Sequence, residues 1–215
     1  MEIEKLTILG LSESTLTMIF DNLESCQLFP EIKIVNNLEL NELKPFENSL
    51  FKIDLVSEIG NSDTASKLFL GVYNPRSKFK VLENLKAIKS NFINIIHKTV
   101  TISSTVKLGV GIQVNSLVSI AAFTKIGDFV SINRNVSIGH HSEINDFVTI
   151  NPGANIAGFV KIRKNTLIGM GVNIIDGITI GENVVIGAGS LVTKNIPDGV
   201  IAYGNPCKVI RKNEA

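Results

Sequence analysis

The chain has 215 residues, 44% of them apolar and 19% charged, with a formal net charge of +1. That suffices for one large or two small domains with a buried core, and it excludes the charge bias of a nucleic-acid-binding or acidic-membrane-binding surface. A small-molecule partner is expected, with no nucleic acid and no membrane. Only Cys26 and Cys207 are present, outside any Cys-x-x-Cys spacing, so neither a disulfide framework nor a zinc ribbon is indicated. No apolar run approaches the roughly 18 residues of a membrane span. The stretch Met1-Glu2-Ile3-Glu4-Lys5 is acidic where a secretory leader would be basic, so a cytoplasmic location is expected.

In chain order, Leu6-Thr7-Ile8-Leu9-Gly10 reads as a short buried strand. Ser12 and Ser14 are candidate N-caps for a helix carrying Leu16, Met18, Ile19 and Leu23 on one side. Glu31-Ile32-Lys33-Ile34-Val35 reads as a second strand ending at Asn36-Asn37, and Lys67-Leu68-Phe69-Leu70-Gly71-Val72 as a third. The mixed residues 38–66 between them match no single period. Pro75 opens a helix running through Phe79, Leu82, Leu85 and Ile88, after which Phe92-Ile93-Asn94-Ile95 leads out of the segment. Strands alternating with helices over residues 1–91 suggest a small parallel α/β domain.

The texture then changes. From Ile96 through Ile102, Leu108, Val114, Ile120 and Ile126 to Val192, an aliphatic residue recurs at every sixth position without loss of phase. A helical face recurs at about 3.6 residues and a half-buried strand at 2, so a strict six means short strands joined by turns of constant size. Four positions after each anchor stands a small or β-branched residue such as Val130, Val136, Ser142, Val148 or Ala154. The position just after the anchor holds His97, Asn115, Asn133, Asn151, Gly169 and Gly187, each 18 residues apart. Asn and Gly tolerate positive φ, so this column is expected to form the corners. Three hexads per coil make a triangular prism whose coils stack, since one coil alone has too little to bury.

Ile126-Gly127-Asp128-Phe129-Val130-Ser131 and Ile180-Gly181-Glu182-Asn183-Val184-Val185 reproduce a signature that resembles the hexapeptide-repeat acyltransferases. The resemblance implies a left-handed parallel β-helix over residues 92–197. An α/β domain feeding through Ile96-His97-Lys98 into the β-helix is similar to the bacterial sugar acetyltransferases that N-acetylate nucleotide-linked 4-amino-sugars or O-acetylate sialic acid. It implies that residues 1–91 form a Rossmann-like, nucleotide-sugar-binding-like domain, that acetyl-CoA is the cosubstrate, that no metal takes part, and that the chain forms a homotrimer.

Acetyl transfer from a thioester needs a base and a donor for the carbonyl oxygen that becomes negative. The segment Asn135-Val136-Ser137-Ile138-Gly139-His140-His141 is similar to the family segment bearing the catalytic His, and the match falls on His140. Gly158, in Ala157-Gly158-Phe159-Val160, stands one coil later and matches the family's Ala-Gly segment. Parallel strands lie about 4.8 Å apart, so His140 and the Gly158 amide are expected as stacked base and oxyanion donor. His141 departs from the family pattern, which has an acidic residue there. Because Phe123, His141 and Phe159 are 18 residues apart, His141 is either stacked between two rings or a proton relay. Glu143 is the nearest acidic candidate for orienting the base, along with Asp146. Thr149, where many relatives carry a second His, offers a hydroxyl. His97 and His140 are 43 residues apart and on different parts of the prism, which argues against the three-His zinc site of a related β-helix class.

After the last hexad, Gly204-Asn205-Pro206-Cys207-Lys208 resembles a family segment that closes over the coenzyme A arm, giving residues 198–215 the role of a coenzyme-closing tail with Asn205, Pro206 and Lys208 as contacts. Gly158, Gly169, Gly171, Gly187 and Gly189 are expected to let the pantetheine lie against the backbone. Two basic trios, Lys161, Arg163 and Lys164, and Lys208, Arg211 and Lys212, either meet the coenzyme phosphates or form solvated faces. In the first domain, Gly10 and Ser12 stand where the family has a glycine-rich diphosphate turn, Asn36 and Asn37 follow the second strand, and Gly71 and Arg76 match a Gly-x-x-x-x-Arg segment. The resemblance implies that these six bind the sugar nucleotide. The expected activity is acetyl-CoA-dependent N-acetylation of the 4-amino group of a nucleotide-linked amino-deoxysugar in surface glycan synthesis. O-acetylation of sialic acid or another sugar hydroxyl shares every motif, and a non-catalytic β-helix scaffold is the alternative of another class.

Overall fold

The computed structural model describes residues 3–10, 12–35, 50–56, 66–84 and 91–214. The expectations for Asn36, Asn37 and the helix beyond Asn84 lie outside the described residues.

The first domain runs β1 (Lys5–Leu9), α1 (Glu13–Ser25), β2 (Glu31–Val35), β3 (Ile53–Val56), β4 (Lys67–Leu70) and α2 (Pro75–Asn84). Its four strands form one parallel sheet in the order β3-β2-β1-β4. Leu6, Ile8, Ile32 and Ile34 from the sheet meet Leu16, Ile19 and Leu23 from α1 in one apolar cluster, which removes the helix stripe and one sheet face from water. β3 lies inside the stretch that showed no period. It is a four-residue edge strand interrupted by Asp54, too short to display a period of its own. Ser12 occupies the N-cap position in extended conformation, but it makes no capping bond. Its hydroxyl pairs instead with that of Ser14 at 3.2 Å.

From β5 (Ile95–Ile96) to β21 (Leu191–Val192) every strand has two residues. Each strand up to Asn173–Ile174 pairs in parallel with the strand one coil later, as Ile126 with Ile144 and Ile138 with Ile156. Three flat faces result, and all the anchors from Val114 onward are buried in one continuous core with the small set. The fold is a parallel β-helix.

The corners differ from expectation. Where a left-handed corner residue occurs it is the third after the anchor, not the first: Leu117, Phe123, Phe129, Asn135, His141, Phe147, Phe159, Asn165 and Asn183 have φ between 53° and 62°. Residues just after the anchors serve other ends. At Gly139 a Cβ would stand 2.5 Å from the Ala157 carbonyl carbon and 2.6 Å from the Gly158 nitrogen, so glycine is required there by the approach of the next coil. Asn115 and Asn133 instead form part of a polar spine under the first domain. Asn22 donates to the Val114 carbonyl at 3.1 Å and to Asn115 Oδ1 at 3.0 Å. Asn115 donates to Asn133 at 3.3 Å, and Asn133 to the Tyr73 hydroxyl at 3.2 Å.

Lys78 on α2 completes this junction. Its ammonium position is fully buried, donating to the Phe129 carbonyl at 3.0 Å and to Thr149 Oγ1 at 3.1 Å. Beside it Phe92 packs edge-on against Phe129, which stacks on Phe147. Beyond the last coil, β22 (Val200–Tyr203) extends the face carrying this junction. β23 (Lys208–Lys212) turns back antiparallel as its edge, where Lys208, Arg211 and Lys212 discourage further strand addition.

Candidate active site

His140 and His141 form an exposed corner between two faces, following β12 (Ser137–Ile138) and preceding β13 (Glu143–Ile144). The left-handed turn at His141, φ 57°, throws its ring outward into a column of corner residues. Phe123 lies 4.9 Å from it on one side and Phe159 is stacked at 5.0 Å on the other, centroid to centroid. The same ring reaches His140: the two Nδ1 atoms are 3.1 Å apart, with the ring planes at 88°. One proton therefore sits between them, and two fully protonated rings could not keep this contact. The aromatic sandwich and the hydrogen bond to His140 coexist, so the two roles open for His141 are compatible. The His140 ring also stands perpendicular to Phe159, with centroids 5.1 Å apart.

With Nδ1 engaged by His141, the far edge of the His140 ring lies against Gly158. A Cβ on residue 158 would stand 2.9 Å from Cε1 and 3.1 Å from Nε2. The stacking of His140 on a bare backbone is thus as expected, but the amide is not free. Gly158 N–H donates to Asp176 Oδ1 at 2.8 Å, which overturns its assignment as a ready oxyanion donor. The cause is a repeated device of the coil. At three other corners the amide two residues after an anchor is likewise capped by an aspartate of the next turn: Val110 by Asp128 at 3.0 Å, Asp128 by Asp146 at 2.8 Å and Glu182 by Asp198 at 2.8 Å. Asp176 is 18 residues after Gly158 in the same column, so the interval that located Gly158 also locates its cap.

The three other orienting candidates are engaged elsewhere. Glu143 is paired to Lys125 at 3.1 Å. Thr149 is buried under the first domain, accepting from Lys78 and donating to the Tyr73 carbonyl at 2.8 Å. Asp146 caps the Asp128 amide. Burial pushes the Tyr73 phenol up to about 12, against the opposing hydrogen bond from Asn133 and the charge of Arg134. No local feature announced Tyr73 or Lys78, because their partners are more than 50 residues away in the chain.

The glycines of the last coils divide into two kinds. At Gly169 and Gly187 a Cβ would meet the Ala188 nitrogen at 2.6 Å and the Tyr203 Cβ at 2.7 Å, so packing of the chain itself requires glycine there. Gly171 and Gly189, with φ of 62° and 68°, have nothing within 4 Å of that position. Asn205 and Pro206, joined by a cis bond in the turn between β22 and β23, and Lys208 at the start of β23 are exposed. Of the basic groups, Arg163 and Lys164 face Asp198 and Glu182 at 3.8 and 3.6 Å on the surface.

In the first domain, Gly10 and Gly71 end the adjacent strands β1 and β4, on either side of the point where the strand order reverses; open parallel sheets bind ligands at such a crevice. Gly10 has φ 84°, and a side chain on Gly71 would run into its carbonyl oxygen. Ser12 and the half-buried Arg76 stand at the starts of α1 and α2, on the same edge of the sheet. A separate polar cavity of about 410 Å³ lies between α1 and the first coils, lined by Asn22, His97, Asn115 and Arg134 among others. It contains none of the expected site residues. Among the described residues no three His, Cys, Asp or Glu side chains converge as a metal set, and no helix is long and apolar enough to cross a membrane.

Residues 159–194 match the bacterial transferase hexapeptide (six repeats) model. No curated protein matches this sequence. Among solved structures, a variant of perosamine N-acetyltransferase from Caulobacter crescentus, in complex with CoA and GDP-perosamine, is 24% identical with a TM-score of 0.80, over 96% of each chain. The acetyltransferase domain of PglB from Neisseria gonorrhoeae, in complex with acetyl coenzyme A, is 23% identical with a TM-score of 0.83, over 97% of this chain and 100% of that one. WeeI from Acinetobacter baumannii is 20% identical with a TM-score of 0.78, again over 97% and 100%. The chain shares their fold over 96–97% of its length.

Proposed function

We propose that this protein is a cytoplasmic, acetyl-CoA-dependent N-acetyltransferase acting on the 4-amino group of a nucleotide-linked amino-deoxysugar for glycan synthesis. The observation that carries the reading is the His140–His141 pair on an exposed corner, with the Nε2 edge of His140 over bare backbone. The likeness to acetyltransferases crystallised with CoA, acetyl coenzyme A and GDP-perosamine supports both substrates. In this reading residues 1–91 are a Rossmann-like nucleotide-sugar domain using Gly10, Ser12, Asn36, Asn37, Gly71 and Arg76. Residues 92–197 are a left-handed β-helix, and 198–215 close over the coenzyme with Asn205, Pro206 and Lys208, while its arm runs past the open Gly171 and Gly189.

His141 Nδ1 accepts the Nδ1 proton of His140, which leaves the lone pair on His140 Nε2. The neutral sugar amine attacks the thioester carbon as His140 Nε2 takes its proton. The carbon–sulfur bond breaks, and the same proton passes to the departing thiolate, giving the amide and free coenzyme. His141 does without charge what an acidic neighbour would do, holding the ring and accepting its proton. The His140 corner is exposed, and Phe123 and Phe159 in it are each more than half exposed. A neighbouring prism in a homotrimer would cover them and wall the site. Sedimentation at micromolar concentration is expected to give the trimer mass, and a monomer would leave the site open on one side.

The test of substrate is thiol release from acetyl-CoA in the presence of UDP- and GDP-linked 4-amino-deoxysugars, free sialic acid and CMP-linked sialic acid. Release with the amino sugars is expected. Release with a hydroxyl acceptor alone would make the protein an O-acetyltransferase, and acetyl-CoA binding without release on any acceptor would make it a binding scaffold.

A further inference from the structure

We infer that the developing oxyanion is held by the main-chain N–H of His140 itself, so that one residue supplies both the base and the carbonyl-polarising donor. The inference rests on the acetyl-transfer reading and deepens it, because the Gly158 amide is already committed to Asp176.

The coil sets the direction of this N–H. At four corners the amide two residues after the anchor donates along the prism to an aspartate of the next turn. Val110, Asp128 and Gly158 all donate to an aspartate 18 positions on, at 2.8–3.0 Å. His140 is two residues after the anchor Ile138, so its N–H has the same heading. The residue one turn on is Gly158, which has no side chain to accept it, and the His140 amide has no hydrogen-bond partner among the described residues. Unpartnered corner amides occur at other turns, but His140 is the one whose own imidazole borders the vacant acceptor position. Its Nε2 is 3.1 Å, and its Cε1 2.9 Å, from where a Cβ of residue 158 would stand.

An acyl oxygen in the place of the missing carboxylate oxygen would accept this N–H at the 2.8–3.0 Å seen in the neighbouring corners. The carbonyl carbon then lies on the imidazole side, within reach of an amine whose proton goes to Nε2. As the carbon–nitrogen bond forms, the carbonyl π pair moves onto that oxygen and the amide hydrogen bond shortens. The pair returns as the carbon–sulfur bond breaks, so no proton is exchanged at the oxygen. The glycine at 158 is explained twice over, by room for the ring and by the removal of a competing cap.

The direct test replaces His140 by its α-hydroxy acid analogue, turning one amide into an ester that keeps the imidazole and removes only the N–H. Expected is a 30- to 1,000-fold fall in kcat, in the range of a lost oxyanion donor, with KM for acetyl-CoA within about threefold. Undiminished kcat would overturn the inference. Asp176→Ala frees the Gly158 amide without touching His140 and is expected to leave kcat within about threefold; a tenfold rise would return the role to Gly158. A readout independent of turnover is the amide spectrum of ¹⁵N-histidine-labelled protein. Acetyl-CoA should move the His140 amide proton downfield and leave that of His97 in place. Bound acetyl-CoA without that shift refutes the inference alone, whereas failure of acetyl-CoA to bind refutes the acetyltransferase reading beneath it.

Discussion

His140→Ala is expected to lower kcat for acetyl transfer by roughly 10²–10⁴-fold, the usual share of a positioned general base, while KM for acetyl-CoA stays within a few-fold. The small change in KM follows from geometry, since the imidazole stands on an exposed corner and buries no part of the core. The melting temperature should be unchanged for the same reason. His141→Phe separates the two roles of its neighbour. A phenyl ring keeps the stack between Phe123 and Phe159, at 4.9 and 5.0 Å in the wild type, and deletes the Nδ1 acceptor. A hydrogen bond to a group that becomes charged is worth about 1.5–3 kcal/mol, so kcat should fall roughly 10- to 150-fold with little loss of stability. Equal kcat in wild type and His141→Phe, measured by coenzyme release at saturating acceptor, would reduce His141 to a packing residue.

Lys78→Met is expected to flatten the dependence of stability on pH. Burial lowers the Lys78 amine from 10.5 to about 7, and the surroundings fit the neutral form, because two N–H groups meet two acceptors, the Phe129 carbonyl and Thr149 Oγ1. A third N–H would find no acceptor among the described residues. In the unfolded chain the group holds its proton up to its ordinary value, so between about pH 7 and pH 10.5 the unfolded state binds more protons and stability rises with pH. The cost of the buried amine is complete below about pH 7 and absent above pH 10.5, and its full size is on the order of 5 kcal/mol. Methionine carries no proton to lose and has a similar length. Thermal unfolding from pH 6 to pH 9 should show the wild type gaining stability relative to Lys78→Met as pH rises. Parallel curves for the two proteins would mean that the amine stays charged in the folded state. The device bears on function because α2, which carries Lys78, also carries Arg76 at the edge of the proposed nucleotide crevice.

The period of six carried the β-helix, its coil of three hexads and the pairing of Ile138 with Ile156, because each anchor repeats one local solution and neighbours are always 18 residues apart. Column counting likewise brought His140 to Gly158 and His141 between Phe123 and Phe159. The same counting held the cap on Gly158, since Asp128, Asp146 and Asp176 all stand two residues after an anchor. What escaped was not periodic. Asn115, Asn133 and Thr149 look like ordinary repeat positions, and their roles come from Asn22, Tyr73 and Lys78 in the first domain. The left-handed corner residue was misplaced because intrinsic preference favours Asn and Gly, whereas the coil forces phenylalanine and histidine into that conformation and stacks their rings in return. Gly169 and Gly187 look identical in sequence to Gly171 and Gly189, and only the backbone of the next turn and Tyr203 distinguish them.

The proposed mechanism requires His141 to hold the His140 ring with its Nε2 lone pair free. The chain has three histidines, so ¹⁵N shifts of the imidazole nitrogens near pH 8, assigned with single variants, read the tautomers directly. His140 is expected protonated at Nδ1 and bare at Nε2, with His141 protonated at Nε2. A His140 ring bearing its proton at Nε2, its Nδ1 accepting from His141, would contradict it, since the group facing the thioester would then be an acid with nothing to take from the amine.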